Sequence, residues 1–162
     1  MEEVGYCSDP KDVRLFPGIR DALRMLKEAG YKNIIITNQA GIGRGKLTEA
    51  QYRAVEAGIL SQIGPGLVDA TYFCPDAPWE PSTRRKPLPG MVLEAADAHD
   101  IDLAGSFFVG DKTSDIECGR NAGTRTILVQ TGYGSQQDDA CPDFIAKDVV
   151  AAADIILKSA DV

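Results

Sequence analysis

Two hydrophobic rhythms alternate along the chain. Ile19, Leu23, Met25 and Leu26 fall near one face of a helix, and Phe16-Pro17-Gly18 opens that stretch. The spacing predicts a helix over 19–29, with Gly30 as its stop. Residues 33–37 (NIIIT) are a β-branched run without helical period, which predicts a buried strand. The segment TNQAGIGRGKLT then reads as a loop. Thr48 is placed to cap a helix over 49–63, with Gln51 as its capping-box partner. Gly64-Pro65-Gly66 breaks the chain, and 69–73 (DATYF) reads as another strand. A Pro-rich loop, CPDAPWEPSTRRKPLPG, leads into a helix over 91–97. Strands at 106–109 and 126–130 flank a helix over 114–122. Residues 154–157 (DIIL) are a last short strand or a helix end. Strands alternating with helices predict an α/β fold with a parallel sheet covered by helices, and no internal repeat interrupts it.

The length of 162 residues suits one domain over 1–162. Hydrophobic residues make up 44% and charged residues 25%, ordinary values for a globular chain. The formal charge of −7 argues against a nucleic-acid surface, which needs a positive field. A local Lys/Arg cluster still suffices for a small anion. No apolar run approaches membrane-spanning length, so no membrane partner is expected. The first ten residues, MEEVGYCSDP, are acidic and polar, unlike a secretory leader. The expected compartment is the cytoplasm. The four cysteines, Cys7, Cys74, Cys118 and Cys141, form no C-x-x-C pair and are expected to be reduced, buried thiols.

Open α/β sheets bind ligands at the carboxyl ends of their strands, and three strand ends here carry suggestive chemistry. Thr37-Asn38-Gln39 offers a hydroxyl, side-chain amides and backbone N–H groups to phosphate oxygens, although alone it reads as a polar loop start. Arg84-Arg85-Lys86-Pro87 gathers three cations beside two prolines, Pro87 and Pro89, that stiffen the segment. Alone it reads as a solvated charge run. Val109-Gly110-Asp111-Lys112-x-x-Asp115 puts carboxylates just past a strand and into the first turn of a helix. Mg²⁺ takes one or two carboxylates with substrate oxygen and water. The plain alternative for Asp111 is a helix N-cap, and for Asp115 a favourable place in the helix dipole. Gly41, Gly43 and Gly45 resemble a dinucleotide fingerprint only loosely, with no acidic ribose partner evident.

The order of these three motifs resembles the haloacid dehalogenase superfamily. EVGY, DVRLFPG, TNQAGIGRGKLTEAQY, RRKPLPGM and FFVGDKTSD are similar to the branch of the heptose bisphosphate phosphatases and histidinol-phosphate phosphatases, over about 3–132. The resemblance implies a Rossmann-like, three-layer parallel sheet with helices on both faces. It implies a Mg²⁺-dependent phosphomonoester hydrolase whose substrate is a sugar bisphosphate or histidinol phosphate. An Asp of a D-x-D-G-T motif forms an aspartyl-phosphate, and a second Asp is general acid and base. By the same resemblance Thr37 binds the phosphoryl group, and Asn38 and Gln39 line the site. Lys86 neutralises the nucleophile–phosphate pair, Arg85 and Lys112 contact substrate, Asp111 holds Mg²⁺ and Asp115 supports the metal. Glu3, Val4, Gly5 and Tyr6 form part of the substrate rim.

No D-x-D-G-T string occurs in the sequence, and no Asp precedes Asp9. In relatives it comes immediately before the stretch matching the first six residues. About a dozen residues, a strand and a turn, are therefore expected to be absent, including the first, central strand. The expectation is a longer parent protein in which Met1 is internal, and little or no activity for this chain. The alternative is a short, non-catalytic phosphate-binding or interaction protein. A monomer is expected, with association through exposed strand edges as the other outcome. Relatives often carry a Cys-x-His and Cys-x-Cys zinc set before the Arg-Lys-Pro. Only Cys74 matches one of those ligands, so no structural Zn²⁺ is expected. His99, the only histidine, falls near a helix end and is read as a surface residue.

Overall fold

A computed structural model describes residues 7–137 and 139–160. Every described strand pairs in parallel, as the alternating pattern predicted. The chain forms two compact units, Met1–Ser82 and Thr83–Val162. In the first unit a short 3-10 turn (Pro10–Asp12) precedes α1 (Ile19–Glu28), β1 (Ile34–Asn38), α2 (Ala40–Gly43), α3 (Glu49–Ile63) and β2 (Ala70–Cys74). β1 and β2 pair from Ile34↔Ala70 to Asn38↔Cys74, so their carboxyl ends share one edge. The amino ends are tied by Asp69, which accepts from Lys27 Nζ at 2.5 Å and Asn33 N at 2.7 Å. The predicted capping box of α3 is present: Thr48 Oγ1 accepts from Gln51 N (3.1 Å) and Gln51 Oε1 accepts from Thr48 N (2.9 Å). Tyr52 of α3 stacks on Phe73 of β2, ring centroids 4.6 Å apart.

The second unit holds α4 (Gly90–His99), β3 (Phe107–Gly110), α5 (Thr113–Ala122), β4 (Arg125–Val129), β5 (Phe144–Ala146) and α6 (Val149–Ala160). Its sheet order is β3-β4-β5. Gly119 lets α5 lie close to the sheet: an added Cβ would stand 2.9 Å from Thr126 Cγ2 and would collide with Phe108 Cβ. The core of this unit centres on Met91, Ile116, Ile127 and Ala152, each nearly closed to solvent.

Among the described residues the strands form two hydrogen-bonded sets, β1-β2 and β3-β4-β5. Several expectations about single elements need correction. β1 is half-buried at every position instead of fully buried, as befits a strand paired on one edge. The loop after β1 contains a helical turn, α2. Residues 154–157, open between strand and helix end in the sequence reading, lie inside α6, where the alanines at 151–153 lead into them, and β5 has no precedent in that reading. Met25 faces outward, while Ala22 and Leu26 carry the buried face of α1. Cys74 and Cys118 are buried as expected, but Cys141 is exposed and Cys7 half-exposed; all four thiols are free. His99 ends α4 and is half-exposed.

β4 and the segment before β5 are joined by a compact polar link. The Thr126 hydroxyl and amide donate to Asp143 Oδ2 at 2.8 and 2.7 Å, and Asp143 N donates back to Thr126 Oγ1 at 3.0 Å. The Thr126 hydroxyl, then its amide, hold the Asp143 carboxyl below the usual carboxylate range. A carboxyl lowered by folding adds stability above its unfolded value, about 3.9, and loses it as pH falls through the lower folded value. Chemical denaturation from pH 7 down to 2 should therefore show Asp143→Asn less stable at pH 7 and less acid-sensitive below about pH 4. Parallel stability curves for the two proteins would contradict this.

Candidate functional site

The carboxyl end of β3 carries a dense polar arrangement built around one buried acid. Asp115 sits in the first turn of α5, and its side chain is 7% exposed. A carboxylate so far from water needs its lone pairs filled. Asp115 Oδ1 accepts from Lys86 Nζ at 2.7 Å. Asp115 Oδ2 accepts from the backbone N–H groups of Asp111 and Lys112, each at 3.2 Å. Gly110 makes this fold-back possible, because an added Cβ there would strike the Asp115 side chain. Lys86 is itself 12% exposed at its side chain and lies over the Phe108 ring, 5.8 Å from the centroid.

Asp111 is not the helix N-cap; Lys112 takes that place, in extended backbone. Asp111 is half-buried, and its Oδ2 accepts from Tyr133 N at 3.1 Å. Its Oδ1 has no hydrogen-bond donor among the described residues. The turn after β4 supplies this support. Gly132, at φ +65°, passes so close that a Cβ would meet Asp111 Oδ2. Lys112 Nζ lies 4.3 Å from the Tyr133 ring centroid. Thr113 N and Oγ1 both donate to Gln137 Oε1, at 2.9 and 3.0 Å, which fixes the same loop on α5.

Of the three adjacent cations, Arg84 pairs with Glu94 on α4 at 2.8 Å and Lys86 with Asp115. The run is thus partly a set of internal pairs, not a solvated strip. Arg85 is half-buried beside Lys86. Cys118, one turn along α5 from Asp115, donates to Leu88 O at 3.4 Å. Burial pushes its thiol up to about 11, so it stays protonated at neutral pH and is no nucleophile.

In the first unit, Thr37, Asn38 and Gln39 occupy the carboxyl end of β1 and the start of α2. Gln39 Nε2 donates to Thr37 Oγ1 at 2.9 Å, and Gln39 N donates to Cys74 O at 2.7 Å. The threonine hydroxyl is thereby held at the strand end with its own proton left to donate. Glu3, Val4, Gly5 and Tyr6 lie outside the described residues. The Pro-rich loop is closed by hydrogen bonds: Cys74 Sγ meets Asp76 Oδ2 at 3.3 Å and Ser82 Oγ at 3.5 Å. Among the described residues no group of three or more His, Cys, Asp or Glu is placed to hold a metal ion. Asp111 thus offers one carboxylate, which suits Mg²⁺ only where other oxygens complete the shell.

The sequence reading located Gly110 within its motif but missed Gly132, Tyr133 and Phe108 as parts of this arrangement. The signal for two of them was local: a Gly-Tyr-Gly turn after a strand.

Comparison with known proteins places the chain. A family model described as HAD-hydrolase-like matches residues 83–152. A D-glycero-D-manno-heptose-1,7-bisphosphate 7-phosphatase of Thermosynechococcus vestitus is 39% identical over 176 aligned positions, covering 96% of this chain and 89% of the relative. The D-glycero-beta-D-manno-heptose-1,7-bisphosphate 7-phosphatase of Bordetella bronchiseptica is 34% identical, over 99% of this chain and 93% of its own. The crystal structure of the D,D-heptose 1,7-bisphosphate phosphatase of B. bronchiseptica, complexed with magnesium and phosphate, superposes with a TM-score of 0.88 at 32% identity. It covers 98% of this chain and 92% of that one. The matches define an α/β, Rossmann-like haloacid-dehalogenase fold. Within it, the chain belongs to the phosphatase family of the D-glycero-D-manno-heptose-1,7-bisphosphate 7-phosphatases.

Because Asp115 and Lys86 neutralise each other out of water, removing one charge strands the other. Asp115→Asn should lower stability by about 3 kcal/mol in urea denaturation. The double variant Lys86→Met/Asp115→Asn should lose less than the two single changes summed. Additive losses would show that the pair is not coupled.

Proposed function

We propose that the chain carries the phosphate-binding and charge-neutralising groups of a phosphomonoester hydrolase acting on D-glycero-D-manno-heptose 1,7-bisphosphate at its 7-phosphate. The observation that supports this most is the buried Asp115, which holds Lys86 Nζ and the Asp111 turn on one carboxylate. Family membership and the names of the relatives supply the substrate. Histidinol phosphate is the other substrate of the related branch and shares the phosphomonoester.

In this reading Thr37 donates its hydroxyl to the transferring phosphoryl group, and Asn38 and Gln39 line the site. Lys86 offsets the charge that gathers on the phosphoryl oxygens, with its ammonium already positioned by Asp115. Arg85 and Lys112 bind the substrate, and Glu3, Val4, Gly5 and Tyr6 form its rim. Asp111 would hold Mg²⁺ through Oδ1, the oxygen without a donor among the described residues, and Asp115 supports it by fixing the turn. When bound, Mg²⁺ adds positive charge opposite the phosphoryl oxygens. The whole chain acts as one phosphatase domain.

Attack requires a carboxylate nucleophile, and the reading assigns it to a D-x-D-G-T segment that the 162 residues do not contain. The 162-residue polypeptide alone should therefore release no phosphate from the heptose bisphosphate with Mg²⁺. The same chain extended at its front by a D-x-D-G-T strand should release it, and chelating the Mg²⁺ should stop it. In the extended chain, Lys86→Ala should cut turnover at least about a hundredfold. Turnover by the unextended chain that disappears in Asp111→Ala would refute the assignment of the nucleophile. A wild-type rate for Lys86→Ala would refute the role of the lysine.

A further inference from the structure

Trp79 is the only tryptophan, and it is 70% exposed. An indole left in water forfeits a large burial gain, so its setting matters. That setting is rigid. Glu80 N donates to Ala77 O at 3.0 Å, closing a turn with Pro78 and Trp79 at its centre. The Ala77 amide donates to the Glu80 carboxylate, and Ala77 is fully buried beneath the turn. Gly43 N donates to Pro75 O at 2.9 Å, and a Cβ on Gly43 would stand only 2.6 Å from Ala77 N. The loop after β2 is thus bolted to α2, and the tryptophan projects from its fixed crest.

Beside it stands a cation. The Arg44 guanidinium lies 5.5 Å from the indole centroid. Among the described residues Arg44 has no carboxylate partner. The two nearby acids in the loop are committed: Glu80 to the Ala77 amide and Asp76 to the Cys74 thiol. Arg44 follows the carboxyl end of β1 by six positions and Trp79 follows that of β2 by five, and these ends are paired at Asn38↔Cys74. Both residues therefore rise from the sheet end that bears Thr37, where open α/β sheets take their ligands.

We infer that Trp79 and Arg44 form a substrate platform for the part of the molecule that is not transferred: the indole face packs against the C–H face of a sugar ring, and the guanidinium meets a second, distal phosphate. The chemistry fits both groups. A large flat apolar surface is gained without new side-chain ordering, because the loop is already fixed. A planar guanidinium suits phosphate oxygens better than an ammonium would. The platform sets substrate choice between a sugar bisphosphate and smaller monophosphates. This inference rests on the phosphatase reading above.

Trp79 alone reports on itself by fluorescence, and binding needs no turnover. The full 162-residue chain is titrated with D-glycero-D-manno-heptose 1,7-bisphosphate and, separately, with inorganic phosphate, both with Mg²⁺, by calorimetry and by tryptophan emission. The bisphosphate should shift emission to the blue and protect it from iodide quenching; inorganic phosphate should do neither. Trp79→Ala should weaken the bisphosphate about tenfold while leaving inorganic phosphate unchanged, and Trp79→Phe should recover most of the loss. Arg44→Ala should weaken the bisphosphate and leave the heptose 7-monophosphate nearly unaffected. Calorimetric binding of the bisphosphate with unchanged emission, or with equal affinity in Trp79→Ala, would overturn the platform and leave the phosphatase reading standing. No calorimetric binding of the bisphosphate would overturn both.

Discussion

A carboxylate removed from water must have its charge answered inside the protein, and the polar groups at the carboxyl end of β3 are arranged around that requirement. Asp115 accepts from one ammonium and two backbone amides, so both of its oxygens are occupied. This single group draws the 83–89 segment onto the start of α5 and shapes the turn from Gly110 to Lys112. The turn in turn presents Asp111, which the Tyr133 amide steadies from the other side. A surface ion pair contributes little to stability, whereas a pair this secluded dictates where its neighbours stand. Lys86 gains a fixed position from it, which a flexible four-carbon side chain lacks by itself.

The second constraint is the incomplete pairing of the strands. β1 has a neighbour on one edge and β3 on one edge among the described residues. Unpaired backbone edges are associated with further strand pairing, and β1 is correspondingly only half-buried. Hydrogen bonds of Cys74 with Asp76 and Ser82 close the Pro-rich loop after β2. The stiffening leaves Trp79 exposed on a well-defined turn, which a floppy loop would not do.

Much of the α/β pattern was legible in the sequence because its signals are local. Capping at Thr48, the β-branched run at 34–36 and the glycine break at 64–66 each act over a few residues, and the corresponding elements fall within one or two positions of expectation. The motif Gly-Asp-Lys-x-x-Asp could be located, but its wiring could not. Asp115 lies three and four positions from the amides it accepts, yet its ammonium partner is 29 positions away. Only the fold brings Lys86 there. The roles of Gly132 and Tyr133 were hidden for the same reason, since they act on Asp111 from across a β-α-β connection. The undecided tail shows the opposite limit. DIIL alone has no period to distinguish strand from helix, and the alanines preceding it decide for helix.

The central claim is that the Lys86 ammonium is pinned to the buried Asp115 carboxylate before any ligand arrives. Proton–nitrogen NMR of the side-chain ammonium groups, on the chain without added phosphate or metal, tests it most directly. A slowly exchanging Lys86 Nζ signal, present in the wild type and lost in Asp115→Asn, is the expected result. A Lys86 signal that exchanges as fast as those of the surface lysines, with or without Asp115, would contradict the account.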